Sequence, residues 1–481
     1  MNKVVPTVAL PAYNRAHLTP GIIHIGLGNF HRAHMAVYLD DLFALGEDHD
    51  WALLGAGVRE GDAKMRDAML AQDCLSTVIE LDPDGKSVRR IGAMTDFIVV
   101  QADNAALIAA MTKPEIRIVS LTVTEGGYFI DPATGEFDPT APDIIADAAH
   151  PARPVTAFGA IIAALKARRA AGVIPFTVMS CDNLPGNGHV TQSAVVGLAR
   201  LFDPALANWI DDTVAFPNGM VDRITPATGP RERAMAAAFG LTDPVPVTCE
   251  PFRQWVLEDH FPAGRPALEK VGVTFTSKVH AYEAMKIRIL NGGHAIIAYP
   301  GGLMDIEYVH EAMANPLISG FLDKVETDDI IPFVAPVPNT DLAAYYHTIR
   351  TRFSNPEIAD TERRLCLDGS NRQPKFIVPS VRDALAAGQS ATGLALVSAL
   401  WCRYCTGTSD HGTPIAPNDP NWDILQATAI AAQVNPQAWL AQRTFYGDLA
   451  DHAGFLATFS AQVARLRDHG TAEALRHYLK A

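Results

Sequence analysis

Apolar positions occur first as short solid runs and later at helical spacing, and the change divides the chain. The run Gly21-Ile-Ile-His-Ile-Gly26 has β character and is followed by a glycine turn and a helical pattern reaching Phe43. Residues 51–58 repeat the theme before a helical stretch over 62–70. Residues 116–123 and 176–180 are further solid runs of the kind that strands buried on both faces require. Strands alternating with helices predict a parallel sheet and an α/β fold. Residues 75–80, the Asp84-Gly85 turn and residues 88–91 predict an antiparallel hairpin added to that sheet. After about Phe275 the strand runs give way to helical patterns broken by loops such as Pro332-Phe-Val-Ala-Pro-Val-Pro338. The expected architecture is a sheet-bearing domain with added strands over 1–278 and a mainly α-helical domain over 279–481.

Composition narrows the partners. A chain of 481 residues exceeds one ordinary core, and 48% hydrophobic with 19% charged residues supplies the apolar area for two. With 53 acidic against 39 basic residues the net charge is −14, which repels phosphate backbones and anionic lipid, so neither nucleic acid nor membrane is an expected partner. No run approaches the roughly 20 apolar residues of a membrane span. The opening Met1-Asn-Lys-Val-Val-Pro6 lacks a signal peptide's apolar centre, so a cytoplasmic location is expected. Of six cysteines only Cys402 and Cys405 are close, and the preceding Ala-Leu-Val-Ser-Ala-Leu-Trp reads as a buried helix face rather than a redox or zinc motif.

Candidate chemistry begins at Gly26-Leu-Gly28-Asn29-Phe30-His31-Arg32-Ala33, between the first strand and the first helix. There backbone N–H groups and a helix N-terminus meet the pyrophosphate of a dinucleotide. Gly26 and Gly28 serve the sharp turn and close approach, and Asn29, Phe30 and Arg32 are assigned to the cofactor with them. His31 stands where the third glycine of GxGxxG falls, so a plain strand-to-helix turn is the alternative. Glu60 and Asp62 follow the second strand, and Asp62 is the preferred ribose partner. A carboxylate there repels a 2′-phosphate, so NAD is expected over NADP, although Arg59 and Lys64 offer partners for the phosphorylated cofactor.

The segment from Tyr282 to His294, Tyr-Glu-Ala-Met-Lys286-Ile-Arg-Ile-Leu-Asn291-Gly-Gly-His294, fits a helix. At 100° per residue His294 lies about 80° and Asn291 about 140° from Lys286, so the three share one broad side. Gly292 and Gly293 each cost about 1 kcal/mol relative to alanine and predict either something bulky against the backbone or tight helix packing. Taken alone, the lysine, asparagine and histidine also suit the polar face of an amphipathic helix.

Five segments in order carry a resemblance: Gly26-Leu-Gly-Asn-Phe-His-Arg-Ala-His34, Ser120-Leu-Thr-Val-Thr-Glu-Gly-Gly-Tyr128, Met179-Ser-Cys-Asp-Asn-Leu-Pro185, Phe216-Pro-Asn-Gly-Met-Val-Asp-Arg-Ile-Thr225, and Lys286-x4-Asn291-x2-His294. Together they resemble the polyol-specific long-chain dehydrogenases over nearly the whole chain, and most closely the branch acting on D-mannitol and D-fructose. The resemblance implies a Rossmann-type N-terminal domain, a helical C-terminal domain, a monomer, and NAD-dependent interconversion of a small-molecule polyol and ketose without a metal. It places Lys286 as general acid/base, Asn183, Asn291 and His294 on the reacting oxygen, and Glu283 as a proton relay. It places Asp222, Arg364 and Arg372 on the polyol, and Glu125 with the cofactor; Arg372 departs from the lysine expected there. Lys286 must then shed its proton, which requires burial or a nearby cation to lower its pKa from about 10.4.

Rival readings remain open. Tyr282-x-x-x-Lys286 has the spacing of short-chain dehydrogenases, which would make Tyr282 the acid/base. His31-x-x-His34 is a tempting zinc pair without a third ligand nearby. The same family contains fructuronate reductases, whose acid substrate Arg364 and Arg372 suit, and D-arabinitol dehydrogenases. A catalytically silent NAD or sugar sensor would not need a proton acceptor beside oxyanion donors.

Overall fold

The computed structural model describes residues 7–131 and 134–480; the opening segment on which the signal-peptide reading rests lies outside them. The chain forms two compact units, Met1–His280 and Ala281–Ala481.

In the first unit the solid apolar runs become strands: β1 (Pro20–Ile25), β2 (Ala52–Ala56), β6 (Ile118–Leu121) and β7 (Thr177–Ser180). With β5 (Met94–Phe97) they make a five-stranded parallel sheet in the order β5-β2-β1-β6-β7. Both faces of the sheet are covered, which is why β1, β2, β6 and β7 are buried along nearly their whole length rather than at alternate residues, while the edge strand β5 exposes Asp96. Ile22 joins one apolar layer together with helix α2 (Met35–Ala44). Ile23 and Ile25 join the other, with α4 (Ala105–Thr112), α6 (Ala157–Ala171) and α7 (Asn187–Phe202). The remaining helices of this unit are α1 (Asn29–Ala33), α3 (Asp62–Leu70), α5 (Pro142–Ala149), α8 (Pro204–Thr213) and α9 (Pro230–Ala238). The arrangement is Rossmann-type.

Two expectations are corrected here. The hairpin of β3 (Ser76–Asp82) and β4 (Gly85–Ile91) forms as an antiparallel pair but does not extend the main sheet. The other edge of β3 is taken by β9 (Val247–Cys249), with Val78 opposite Val247, so a separate sheet β4-β3-β9 results and β3 has no edge left to offer. A third sheet joins β8 (Gly219–Asp222), β10 (Gln254–Leu257) and β11 (Thr274–Phe275). The first helix, expected to run unbroken to Phe43, divides at His34 (φ −120°, ψ −92°) into α1 and α2. Burial of the His34 ring explains the break: its Nε2 lies 2.9 Å from the Gln254 carbonyl, and it stacks on Phe30 and meets Trp255 edge-on.

The second unit is helical: α10 (Val279–Met285, entering from the first unit), α11 (Gly292–Leu303), α12 (Val309–Ala314), α13 (Pro316–Val325), α14 (Leu342–Phe353), α15 (Glu362–Leu365), α16 (Gly369–Phe376), α17 (Val378–Ala386), α18 (Thr392–Tyr404), α19 (Trp422–Ala432), α20 (Gln437–Leu440), α21 (Arg443–Tyr446) and α22 (Ala453–Lys480). Helix α18 is buried along almost its whole length and packs against α22, as an all-round apolar helix must. Cys402 and Cys405 are buried there with free thiols. Among the described residues no helix is long and apolar enough to cross a membrane, and no group of three or more His, Cys, Asp or Glu is placed to hold a metal ion.

Candidate active site

The chain leaves β1 towards β2 and β5 on one side of the sheet and towards β6 and β7 on the other. Parallel α/β sheets bind ligands at such a reversal, beyond the carboxyl ends of the strands. Gly26 ends β1 with φ +93°, and a Cβ there would lie 2.2 Å from the Thr122 carbonyl oxygen. Gly28 is different: a Cβ would meet nothing closer than the Gly26 oxygen at 4.0 Å. One glycine is demanded by the protein's own backbone, while the other leaves open space at the mouth of α1. That combination fits a dinucleotide pyrophosphate.

The flanking polar side chains brace this turn. Asn29 donates from Nδ2 to the Pro226 carbonyl (3.0 Å) and Thr228 Oγ1 (2.9 Å), and its Oδ1 accepts from Arg32 (2.8 Å). The buried Arg32 guanidinium also donates to the carbonyls of Gly28 and Val245. Phe30 packs on His34. His31 takes the place of the third glycine by lying flat on His24 of β1, ring centroids 3.4 Å apart. His24 is fixed by Ser120 Oγ (2.8 Å) and Thr122 Oγ1 (2.9 Å). Burial pushes its pKa down to about 3 and holds His31 well below the usual range, so two neutral rings supply the close helix-to-strand packing.

Other candidates from this unit sit at strand ends. Asp62 Oδ2 accepts from the backbone N–H of Val58 (2.9 Å) and Arg59 (3.0 Å), closing the loop after β2. Glu125 and Asn183 are exposed on the loops after β6 and β7. Asp222 is buried at the end of β8, opposite Gln254.

In the second unit the helix bearing Lys286 is not uniform. Between α10 and α11, residues Lys286–Asn291 form a single π-helical turn. Its i→i+5 bonding winds more widely than an α-helix, so Asn291 lies closer below Lys286 than the 140° offset of the α-helical reading; such turns recur at functional sites. Lys286 is 7% exposed, and Glu283 is half-buried one turn before it. The Tyr282 hydroxyl donates to the Pro338 carbonyl at 2.6 Å, which commits it to the fold. The His294 ring stacks on Phe353 at 4.2 Å. Burial, with Arg364, Arg352 and Arg372 facing it against Asp360, pushes its pKa down to about 3, so it works as a neutral ring. Arg364 is held by both oxygens of Asp360, and Arg372 donates to the Leu365 carbonyl at 2.9 Å. Phe353, Arg352 and Asp360 carried no signal in the sequence, because only the packing of α14 and of the segment leading into α15 brings them to His294.

The bulk expected at the paired glycines is the protein's own. A Cβ at Gly293 would lie 3.2 Å from Phe353 and 3.3 Å from Glu326, whereas Gly292 has ordinary clearance; Gly301 in the same helix is pressed by Glu362. Glu326 and Glu362 are 0% and 1% exposed, and neither carboxyl has a hydrogen-bond partner among the described residues. Burial raises both pKa values well above the usual carboxylate range. The unfolded chain releases these protons near pH 4.3 while the folded one keeps them, so stability falls as pH rises above that value. The melting temperature should therefore drop more steeply from pH 5 to pH 8 in the native protein than in an E326Q/E362Q variant. Parallel curves would show that neither burial is felt.

A family model described as the mannitol dehydrogenase Rossmann domain matches residues 20–270, and one for the mannitol dehydrogenase C-terminal domain matches residues 278–467. The chain belongs to the mannitol dehydrogenase family. Relatives in that family include mannitol 2-dehydrogenase of Cereibacter sphaeroides, 69% identical and covering 99% of both chains. Mannitol 2-dehydrogenase of Aspergillus fumigatus is 40% identical over 98% of this chain and 96% of its own. Among solved structures, the Pseudomonas fluorescens mannitol 2-dehydrogenase ternary complex with NAD and D-mannitol matches with a TM-score of 0.85 and 46% identity, covering 99% of this chain and 97% of that one. A substrate-free D-sorbitol dehydrogenase matches with a TM-score of 0.91 and 35% identity over 98% of each chain. Membership of the mannitol dehydrogenase family makes this protein an oxidoreductase.

Proposed function

We propose that the protein is an NAD-dependent polyol dehydrogenase that interconverts D-mannitol and D-fructose, with Lys286 as general acid/base and no metal in the reaction. The observation that carries the reading is the buried Lys286 at the head of a π turn that also holds Asn291, with His294 one turn beyond, in a chain of this family. NAD, when bound, supplies the hydride acceptor. The chain moves the proton: the amine of Lys286, neutral in the oxidation direction, takes it from the hydroxyl, and Glu283 passes it on towards solvent. Asn291 and Asn183 donate to the developing alkoxide, and neutral His294, held flat by Phe353, fixes the oxygen's direction. Asp222, Arg364 and Arg372 bind the remaining hydroxyls, and a monomer suffices for this chemistry. Gly26, Gly28 and Asp62, with Glu125, are the proposed cofactor contacts, Asn29, Phe30 and Arg32 holding the turn in shape.

The test compares D-fructose, D-fructuronate and D-xylulose as NADH oxidants after exhaustive chelation. D-Fructose should give the highest kcat/KM, undiminished by the chelator. Preference for fructuronate would turn the reading towards a uronate reductase, an outcome that the three arginines facing His294 make worth measuring. Activity lost on chelation and restored by zinc would refute the metal-free scheme.

A further inference from the structure

Two of the proposed site residues, Glu125 and Asn183, follow directly after residues joined by one carboxylate. Asp182 Oδ2 accepts the backbone N–H of Val123 at 2.9 Å, and Oδ1 accepts that of Thr124 at 3.0 Å. The loop after β7 is thereby strapped to the loop after β6. The carboxylate is clamped from behind in a closed ring: Asp182 N–H donates to Ser180 Oγ (3.2 Å), Ser180 Oγ lies 2.6 Å from the Tyr128 hydroxyl, and that hydroxyl donates to Asp182 Oδ2 (2.7 Å). Such rings polarise and stiffen one another. Asn187 Nδ2 donates to the Asp182 carbonyl at 3.1 Å and to the carbonyl of Gly219, the first residue of β8, while its Oδ1 accepts the Gly219 N–H. The strap therefore reaches the strand that carries Asp222.

The strap holds the backbone where it would not rest by itself. Thr124 sits at φ +65°, ψ 164°, a region that costs a residue with a Cβ about 1–3 kcal/mol and persists only where the surroundings enforce it. Releasing the carboxylate would let Thr124 relax to negative φ and swing Glu125 away, while Asn183 would lose the anchor next to it.

We propose that Asp182 is a positioning residue that sets the spacing between the cofactor-binding loop at Glu125 and the oxyanion donor Asn183, and that Tyr128 holds it in place. The proposal rests on the roles assigned above to Glu125 and Asn183. It takes no part in proton or hydride transfer, and its effect reaches the reaction only through those two side chains.

The test is a double-mutant cycle with NADH affinity as an independent measurement. Asp182→Asn keeps the size but sets an NH2 against one of the two backbone N–H donors, and Tyr128→Phe loosens the clamp while leaving the carboxylate. Expected results are a fall in kcat of about 10–100-fold for D182N, as for an ångström-scale misplacement, and a smaller fall for Y128F. NADH should bind severalfold more weakly to D182N. At saturating NADH, where the contribution through Glu125 to cofactor binding no longer limits the rate, D182N/N183A should have the kcat of N183A alone, because the part acting through Asn183 has nothing further to lose once Asn183 is gone. Multiplicative losses, or loss of thermal stability with kcat and NADH affinity intact, would overturn the proposal. Full kcat in N183A would refute the oxyanion role of Asn183 instead, and the NADH titration of D182N then decides: weaker binding upholds the strap and unchanged binding overturns it. Should D182N fail to fold, Y128F carries both measurements.

Discussion

Lys286→Ala should lower kcat for ketose reduction about 10²–10⁴-fold, the range for removing a positioned general acid/base, while Tyr282→Phe keeps most of the activity. The two residues compete for one role because their spacing suits either reading, and the geometry separates them. The Tyr282 hydroxyl is committed to the Pro338 carbonyl, so its loss should cost stability of about 0.5–1.5 kcal/mol rather than rate. Lys286 lies buried in the π turn, one turn from the half-buried Glu283. Steady-state rates at saturating NADH and ketose, read beside thermal melts, distinguish the two. A Y282F enzyme that loses its rate while K286A retains it would transfer the acid/base role to the tyrosine.

Gly26→Ala and Gly28→Ala should fail in different ways. At Gly26 the added methyl meets the Thr122 carbonyl oxygen at 2.2 Å in a backbone of φ +93°. Left-handed strain alone costs about 1–2 kcal/mol, and a collision with backbone cannot be relieved by a rotamer change. Because Thr122 follows β6 directly, the turn must part from the sheet, lowering both the melting temperature and NADH affinity. At Gly28 the methyl enters open space at φ −94°, so the fold should melt normally. It would stand where the pyrophosphate has to approach, and NADH affinity should fall by tenfold or more, equivalent to about 1.4 kcal/mol per factor of ten. Normal NADH binding by G28A would mean that the phosphates lie elsewhere.

The sequence was most informative where local pattern and burial agree. A solid apolar run can be satisfied in only a few ways, so four strands of the parallel sheet, β1, β2, β6 and β7, and the helix over Asp62–Leu70 were legible from composition and spacing, whereas the short edge strand β5, with Thr95 and Asp96 at its centre, gave no such run. The glycine turn was legible for the same reason, since its demands are set within a few residues. Lys286, Asn291 and His294 could be placed on one helical segment, but spacing alone left them as an ordinary polar face, and the family resemblance singled them out.

What the linear pattern could not hold is whatever depends on residues distant along the chain. The hairpin joined a different sheet because β9, with Val247 opposite Val78, supplied its second edge. The bulk against Gly293 is Phe353 and Glu326, and the ring beneath His294 is the same Phe353. The strap at Asp182 exists because β6 and β7 are neighbours in the sheet, though their sequences are more than 50 residues apart. By itself the sequence determined the central strands, the β3–β4 hairpin and the helical character of the second unit, and which side chains have the chemistry for proton transfer, since these follow from local burial and residue type. Tertiary structure alone decided the backbone geometry around those side chains: the π turn, the flat ring under His294 and the strained Thr124 are each maintained by packing or hydrogen bonds that close only once the chain has folded.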